Sequence, residues 1–128
     1  MSITILRGDT LSLAITGLGN ISSRAKLWFT VKVSKTDADA AAIIQIEETA
    51  GLVYLNGAAA GVSGNGSITV DDEVAGDITI ALAAAETAKL IARSTLSYDV
   101  QMRTAAGSVE TLETDTAIVT PDVTRATS

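Results

Sequence analysis

Short runs of apolar residues that alternate with polar ones constrain the fold of this chain more than any other feature of its sequence. In the run 11–15, leucine and isoleucine at the odd positions alternate with serine and alanine at the even ones. This period of two is typical of a strand with one buried face, because successive side chains point to opposite sides of the sheet. Similar runs recur about eight times, separated by Gly, Asn, Asp or Ser, and they predict an all-β chain.

The most clearly patterned strand is predicted between Lys26 and Val33. Leu27 and Phe29 lie on one face of this strand and Trp28 lies on the other. A strand with large apolar side chains on both faces is favoured at the centre of a sheet. We therefore interpret Phe29 as a structural residue of the core, and Trp28 as a structural residue that is buried or half-buried.

Three stretches break the period of two. Residues 36–42 and 83–92 are rich in helix formers and predict short helical turns, whereas the glycine-rich stretch 57–66 is predicted to be a mobile surface loop. About eight strands spaced near ten residues favour an immunoglobulin-like antiparallel β-sandwich with one or two short helical turns. We assign the sandwich to residues 1–120 and a polar tail to residues 121–128.

Tyr98 follows a strand and a short crossover, at the start of the next predicted strand. This position resembles the corner tyrosine of immunoglobulin-like domains, whose hydroxyl bonds back to the backbone at the crossover. The alternative is a tyrosine that packs at a sheet edge. In both interpretations Tyr98 is a structural residue.

The sequence lacks the residue types that most catalytic and metal sites use. It contains no cysteine and no histidine, which excludes thiolate metal sites, disulfides and a histidine general base. None of its lysines lies in a recognisable motif with a serine nucleophile. We expect no enzymatic activity, no catalytic residues and no cofactor.

Charge and hydropathy narrow the possible partners. Nine basic and fifteen acidic residues give a net charge of −6, so nucleic acid is not an expected partner. The longest apolar stretch, 80–92, is interrupted by Glu86 and Lys89 and is shorter than the roughly 20 residues that span a bilayer. The first residues alternate like a strand and predict no export signal. We therefore expect no membrane partner.

Two short motifs suggest ligands, but each has a simpler interpretation. Arg7-Gly8-Asp9 spells a cell-adhesion tripeptide, although a β-turn accounts for its glycine and aspartate. The densest acidic group could supply part of a calcium shell, although its spacing matches no known calcium loop and a solvated turn is favoured. The weak metal candidates are Asp71, Asp72, Glu73 and Asp77.

Several segments, taken in order, resemble small phage virion proteins with an immunoglobulin-like sandwich, in particular the N-terminal domain of phage baseplate upper proteins. The likeness covers nearly the whole chain. The segments are Arg-Gly-Asp-Thr at 7–10, Leu-Trp-Phe-Thr-Val-Lys at 27–32, the Asp-Ala run and Ile-Ile-Gln at 37–45, Gly-Asp-Ile-Thr-Ile at 76–80, Ala-Ala-Glu-Thr-Ala-Lys-Leu at 84–90, Tyr-Asp-Val-Gln at 98–101, and Thr-Pro-Asp-Val-Thr-Arg at 120–125.

The resemblance implies a non-enzymatic structural protein of a bacteriophage virion, made in the host cytoplasm, that docks into a tail or baseplate. A capsid-decoration or neck protein is the nearest alternative. The resemblance implies other virion proteins as partners and self-association into an oligomer. A second class of function is a carbohydrate or cell-surface binding module, with or without calcium, which would need exposed aromatic residues near the loop 57–66.

Docking is predicted at the two ends of the chain. An open first strand and a tail after the last strand can each add to the sheet of a neighbour, because an unpaired strand edge presents free N–H and C=O groups. The interface candidates are Ile3, Ile5, Pro121, Val123 and Arg125.

Overall fold

A computed structural model of the chain describes residues 2–121, which form ten strands and one short α-helix. The strands are β1 (Ile3–Leu6), β2 (Leu11–Ile15), β3 (Arg24–Lys32), β4 (Ile44–Glu47), β5 (Gly51–Leu55), β6 (Ala58–Ala59), β7 (Gly66–Asp72), β8 (Asp77–Leu82), β9 (Arg93–Thr104) and β10 (Val109–Thr120), with the helix α1 (Ala84–Thr87) between β8 and β9.

The strands form two sheets. The large sheet has the order β1-β10-β9-β3-β4-β5-β6, and the small sheet has the order β2-β8-β7. Neighbouring strands pair antiparallel, except that β1 runs parallel to the end of β10, from Ile3 beside Ala117 to Leu6 beside Thr120. The all-β sandwich expected from the sequence is confirmed, with β3 near the middle of the large sheet.

The core lies between the sheets and uses the inward positions that the alternation predicted. Leu27, Phe29 and Val31 of β3 are fully buried, and the rings of Phe29 and Tyr98 lie 5.9 Å apart between centroids. Trp28 is half-buried on the opposite face of β3. Aliphatic residues of both sheets complete the core, among them Ile15, Ile44, Ile46, Ile78, Ile80, Leu82, Val100 and Val119.

The structure adds detail where the pattern was weak. The predicted loop 57–66 contains β6, because Asn56 and Gly57 adopt positive φ angles of 53° and 76° and turn the chain back onto β5. Within 83–92 only α1 is α-helical. Of the other helix-forming stretch, only Asp39–Ala41 is helical, as one turn of 3-10 helix.

Tyr98 lies on β9, an interior strand of the large sheet, so the sheet-edge interpretation is wrong. Its side chain is 1% exposed, and its hydroxyl donates to Glu113 Oε2 on β10 at 2.7 Å. A β-bulge at Leu112 brings this carboxylate to the inner side, whereas the corner motif predicts a backbone acceptor for the phenol. Burial, and then the bond to Glu113, raise the pKa of Tyr98.

Candidate functional site

The outward side chains of the large sheet line a shallow groove of about 280 Å³. We call it the outer-face groove. Strands β3, β4 and β9 supply most of it, because their even and odd positions place side chains alternately outside and inside. Its lining residues are Trp28, Thr30, Lys32, Lys35, Asp39, Gln45, Asp99, Gln101 and Val109.

A row of polar side chains crosses the floor of the groove. The pairing of strands places Gln45 opposite Thr30, and Thr30 opposite Asp99. The Gln45 amide Nε2 donates to Thr30 Oγ1 at 3.3 Å, and both residues are 6% exposed. This buried bond fixes the amide, so the floor is polar and preorganised.

The charges in the groove are unequally neutralised. Lys32 Nζ lies 2.8 Å from Asp39 Oδ1 and donates to the Asp37 carbonyl oxygen at 2.8 Å. The bond from Lys32 lowers the pKa of Asp39. Lys35 makes no ion pair with any residue between 2 and 121.

Asp99 is the second carboxylate of the groove and, unlike Asp39, has no ion pair within 4 Å among residues 2–121. Burial raises its pKa, against the opposing effect of the Lys32 charge. No residue of the described part of the chain gives its carboxylate a hydrogen bond or an ion pair within 4 Å. Asp99 is therefore a partly desolvated acceptor with unused hydrogen-bonding capacity.

Trp28 forms one end of the groove. Its cross-strand partners are Glu47 on β4 and Gln101 on β9, and Lys26 Nζ lies 6.0 Å from the centroid of its ring. Gln101 Nε2 donates to Thr111 Oγ1 at 3.2 Å. The half-buried indole thus stands beside fixed amide and carboxylate groups on an exposed face.

A second feature is the free edge of β10. Strand β1 covers only the part from Ala117 to Thr120, and within residues 2–121 no strand pairs with the outer side of Val109–Thr116. The side chain of Val109 is 60% exposed. We call 109–116 the β10 edge; it carries acidic side chains and no basic one, these being Glu110, Glu113 and Asp115.

The predicted interface residues have different positions. Ile3 and Ile5 are 4% and 0% exposed, so their side chains belong to the core and only their backbone edge is available to a neighbour. Pro121 is exposed at the end of the described chain. Val123 and Arg125 lie outside the described residues. Their interface role stays a prediction.

The weak metal candidates do not converge. Asp72 Oδ1 accepts the backbone N–H groups of Val74 and Ala75, each at 3.1 Å. The other three carboxylates bond elsewhere: Asp71 to Thr79, Glu73 to Arg24, and Asp77 to the Gly17 N–H. Across the described part of the chain, no group of three or more such side chains could hold a metal ion. The carboxylates instead stabilise the turns around β7 and β8.

Hydrogen bonds to Thr87 of α1 hold the Arg-Gly-Asp turn in place. Thr87, which is fully buried, accepts the Gly8 N–H at 3.1 Å through its Oγ1 and donates to the Asp9 carbonyl oxygen at 2.7 Å. Arg7 Nη2 donates to the Ala88 carbonyl oxygen at 3.2 Å. This favours the structural interpretation of the tripeptide over the adhesive one.

Sequence reasoning missed the outer-face groove. Its residues come from separate strands and from the segment between β3 and β4, so no spacing in the sequence links them. The alternating pattern identifies the outward-facing residues of each strand, such as Trp28. It does not predict which outward-facing residues of different strands lie side by side. The carbohydrate-binding alternative would need exposed aromatic residues near 57–66, whereas the half-buried Trp28 lies on β3 of the large sheet.

The described residues include no helix that is long and apolar enough to cross a membrane.

Comparison with known proteins finds structural likeness without sequence relatives. A structure of the NK cell receptor Nkp44, a triggering partner in natural cytotoxicity, matches with a TM-score of 0.52 and 13% identity, over 94% of this chain and 96% of that one. Extracellular domains of the voltage-gated sodium channel beta4 subunit, described as parallel homodimers, match with a TM-score of 0.42 and 17% identity, over 96% and 92%. No family model and no curated protein matches the chain. The likeness to the Nkp44 structure shows an immunoglobulin-like fold.

Proposed function

We propose that this immunoglobulin-like chain is a non-enzymatic structural subunit of a bacteriophage virion that docks into a tail or baseplate assembly. The support is the ordered set of segments that resembles baseplate upper proteins, together with the sandwich fold in which those segments lie. The groups most often used in catalysis are missing from the sequence, which has neither histidine nor cysteine.

The observation that carries the docking role is the β10 edge. No strand within residues 2–121 covers this edge, and its outward N–H and C=O groups can pair with a strand of a neighbour, although the Thr116 N–H is already bonded to Asp115 Oδ1. The exposed Glu110 would repel the same edge of a second copy, and the edge carries no basic side chain, so a strand with basic side chains fits it best. Self-association through another surface stays a prediction, which a measurement of the molecular mass in solution would test.

The proposal is tested first by the content of purified particles. Phage induced from the host that carries the gene is banded on a density gradient and analysed by quantitative mass spectrometry. We expect the chain in a fixed ratio to the tail proteins that survives a salt wash. Its absence from banded particles, or its complete removal by the wash, would contradict the proposal.

Proline variants test the β10 edge itself. Thr114 and Asp115 are neighbours on an edge strand, so the N–H of one points to β9 and the N–H of the other points away. Proline at the inward N–H should unfold the domain, whereas proline at the outward N–H should leave the melting temperature nearly unchanged and block incorporation. A folded proline variant that is incorporated as well as the parent protein would exclude docking at this edge.

A further inference from the structure

We propose that the outer-face groove binds a neutral saccharide, with Trp28 as its stacking surface and Asp99 as its principal hydrogen-bond acceptor. This inference does not depend on a virion location. It would give the chain a ligand on its sheet face in addition to a docking strand at its edge.

Trp28 supplies the apolar part of the site. Its indole is half-buried, which fixes the ring, yet it remains on an exposed sheet face beside Gln101. A flat aromatic surface next to polar groups suits a sugar ring, which has an apolar C–H face and a polar rim. The other lining residues are mostly polar, so a purely apolar ligand would leave them unpaired.

Asp99 supplies the unused acceptor. Its carboxylate is partly desolvated, and no described residue donates to it. Two sugar hydroxyls can donate to one carboxylate, which would restore the bonds that Asp99 loses on folding. Lys35, which has no ion pair among the described residues, can donate to a sugar oxygen from the same groove. The groove therefore offers both acceptors and donors.

The charge of the groove favours a neutral ligand. Lys32 is already paired with Asp39, and Asp99 has no ion pair within 4 Å among the described residues, so its charge is offset only at longer range by Lys32 and Lys35. An anionic ligand such as a phosphate or an acidic sugar would meet Asp39 and Asp99 at short range. Hydroxyl groups carry no such penalty.

The single tryptophan of the chain makes the site directly observable. The intact protein is titrated with neutral hexose oligomers, N-acetylhexosamine oligomers and sialylated oligomers while Trp28 fluorescence is recorded. We expect at least one neutral series to shift the emission saturably below about 10 mM, and the sialylated oligomers to bind at least tenfold more weakly.

Variants then locate the binding by calorimetry with the best neutral oligomer. Trp28→Ala and Asp99→Ala should each reduce affinity about tenfold or more, and Asp99→Asn, which keeps one acceptor, should reduce it less. Thr116→Ala is the matched control, because Thr116 is exposed on β10 and is not among the groove residues. Thermal melts establish that each variant is folded, and the two alanine variants test the site independently.

Three results would overturn the proposal. They are the absence of any emission change with all neutral oligomers, tighter binding of the sialylated series, and unchanged affinity in a folded Trp28→Ala or Asp99→Ala variant. Each of these results leaves the particle-content experiment unaffected, so failure of the saccharide site and failure of the virion role are distinguishable.

Discussion

At the scale of single residues, Tyr98 has the most clearly defined structural role. Its phenol is buried and bonds to the Glu113 carboxylate at 2.7 Å. Replacing Tyr98 with phenylalanine removes that bond and leaves a carboxylate without its donor. Since hydrogen bonds to charged groups contribute about 1.5–3 kcal/mol, we expect Tyr98→Phe to lower the free energy of unfolding by that amount in urea titrations.

Tyr54→Phe is the control for this change. The Tyr54 hydroxyl makes no hydrogen bond with residues 2–121, and its ring is half-buried on β5. We expect its replacement to alter the free energy of unfolding by less than about 0.5 kcal/mol. Equal effects of the two substitutions would mean that the bond to Glu113 contributes nothing.

The raised pKa of Asp99 predicts that the free energy of unfolding decreases as the pH rises. Burial raises the pKa of its carboxyl above the ordinary 3.8, while Lys32 and Lys35 lower it and Asp39 raises it. The folded state therefore binds this proton more tightly than the unfolded state does. The stability that the neutral carboxyl gives is complete below pH 3.8 and is lost as the pH rises through the folded pKa.

It follows that Asp99→Asn should be more thermally stable than the parent protein at pH 7, with the difference vanishing near pH 3. Melting temperatures measured between these two values test the trend. Glu110→Gln removes the same charge from an exposed position and should show no comparable gain. A lower melting temperature of Asp99→Asn at pH 7 would contradict the desolvation that we assign to this carboxylate.

At the scale of structural elements, the turn between β7 and β8 packs closely against the loop that follows β2. Gly76 has a φ of +75°, and a Cβ built there would overlap the backbone carbonyl oxygen of Gly19. The Leu18 N–H donates to the Gly76 carbonyl oxygen at 3.1 Å. The close approach of the two backbones therefore requires glycine.

We expect Gly76→Ala to lower the free energy of unfolding by about 2–4 kcal/mol, measured by urea titration. Gly107→Ala separates the two causes, because Gly107 has a φ of +98° but open space around it. We expect Gly107→Ala to lower the free energy of unfolding by about 1 kcal/mol, because only backbone strain is introduced. Similar losses at both positions would show that the contact with Gly19 is unimportant.

Prediction from sequence succeeded for elements where alternation was strong and failed where it was weak. The strands around Phe29, Ile80 and Val100 have the predicted faces, because the burial of one side fixes their register. The helix expected over 83–92 is shorter, since Leu90 is drawn into the core and β9 begins at Arg93. Tertiary packing outweighed local propensity there.

At the scale of the whole molecule, the candidate sites depend on topology, which the sequence does not encode locally. Thr30, Gln45 and Asp99 become neighbours only because β3 pairs with β4 on one side and with β9 on the other. Within residues 2–121 the β10 edge is likewise unpaired because β1 begins at Ile3, beside Ala117. The sequence could predict a sandwich and its outward residues, but not which of them meet.

The central proposal is that this immunoglobulin-like sandwich docks through the β10 edge. Hydrogen–deuterium exchange of amides 109–116, compared between the isolated chain and the chain in intact particles, tests this most directly. The account predicts fast exchange at the outward amides of the isolated chain and strong protection in the particle. Unchanged fast exchange at these amides in the particle, with protection elsewhere on the surface, would contradict it.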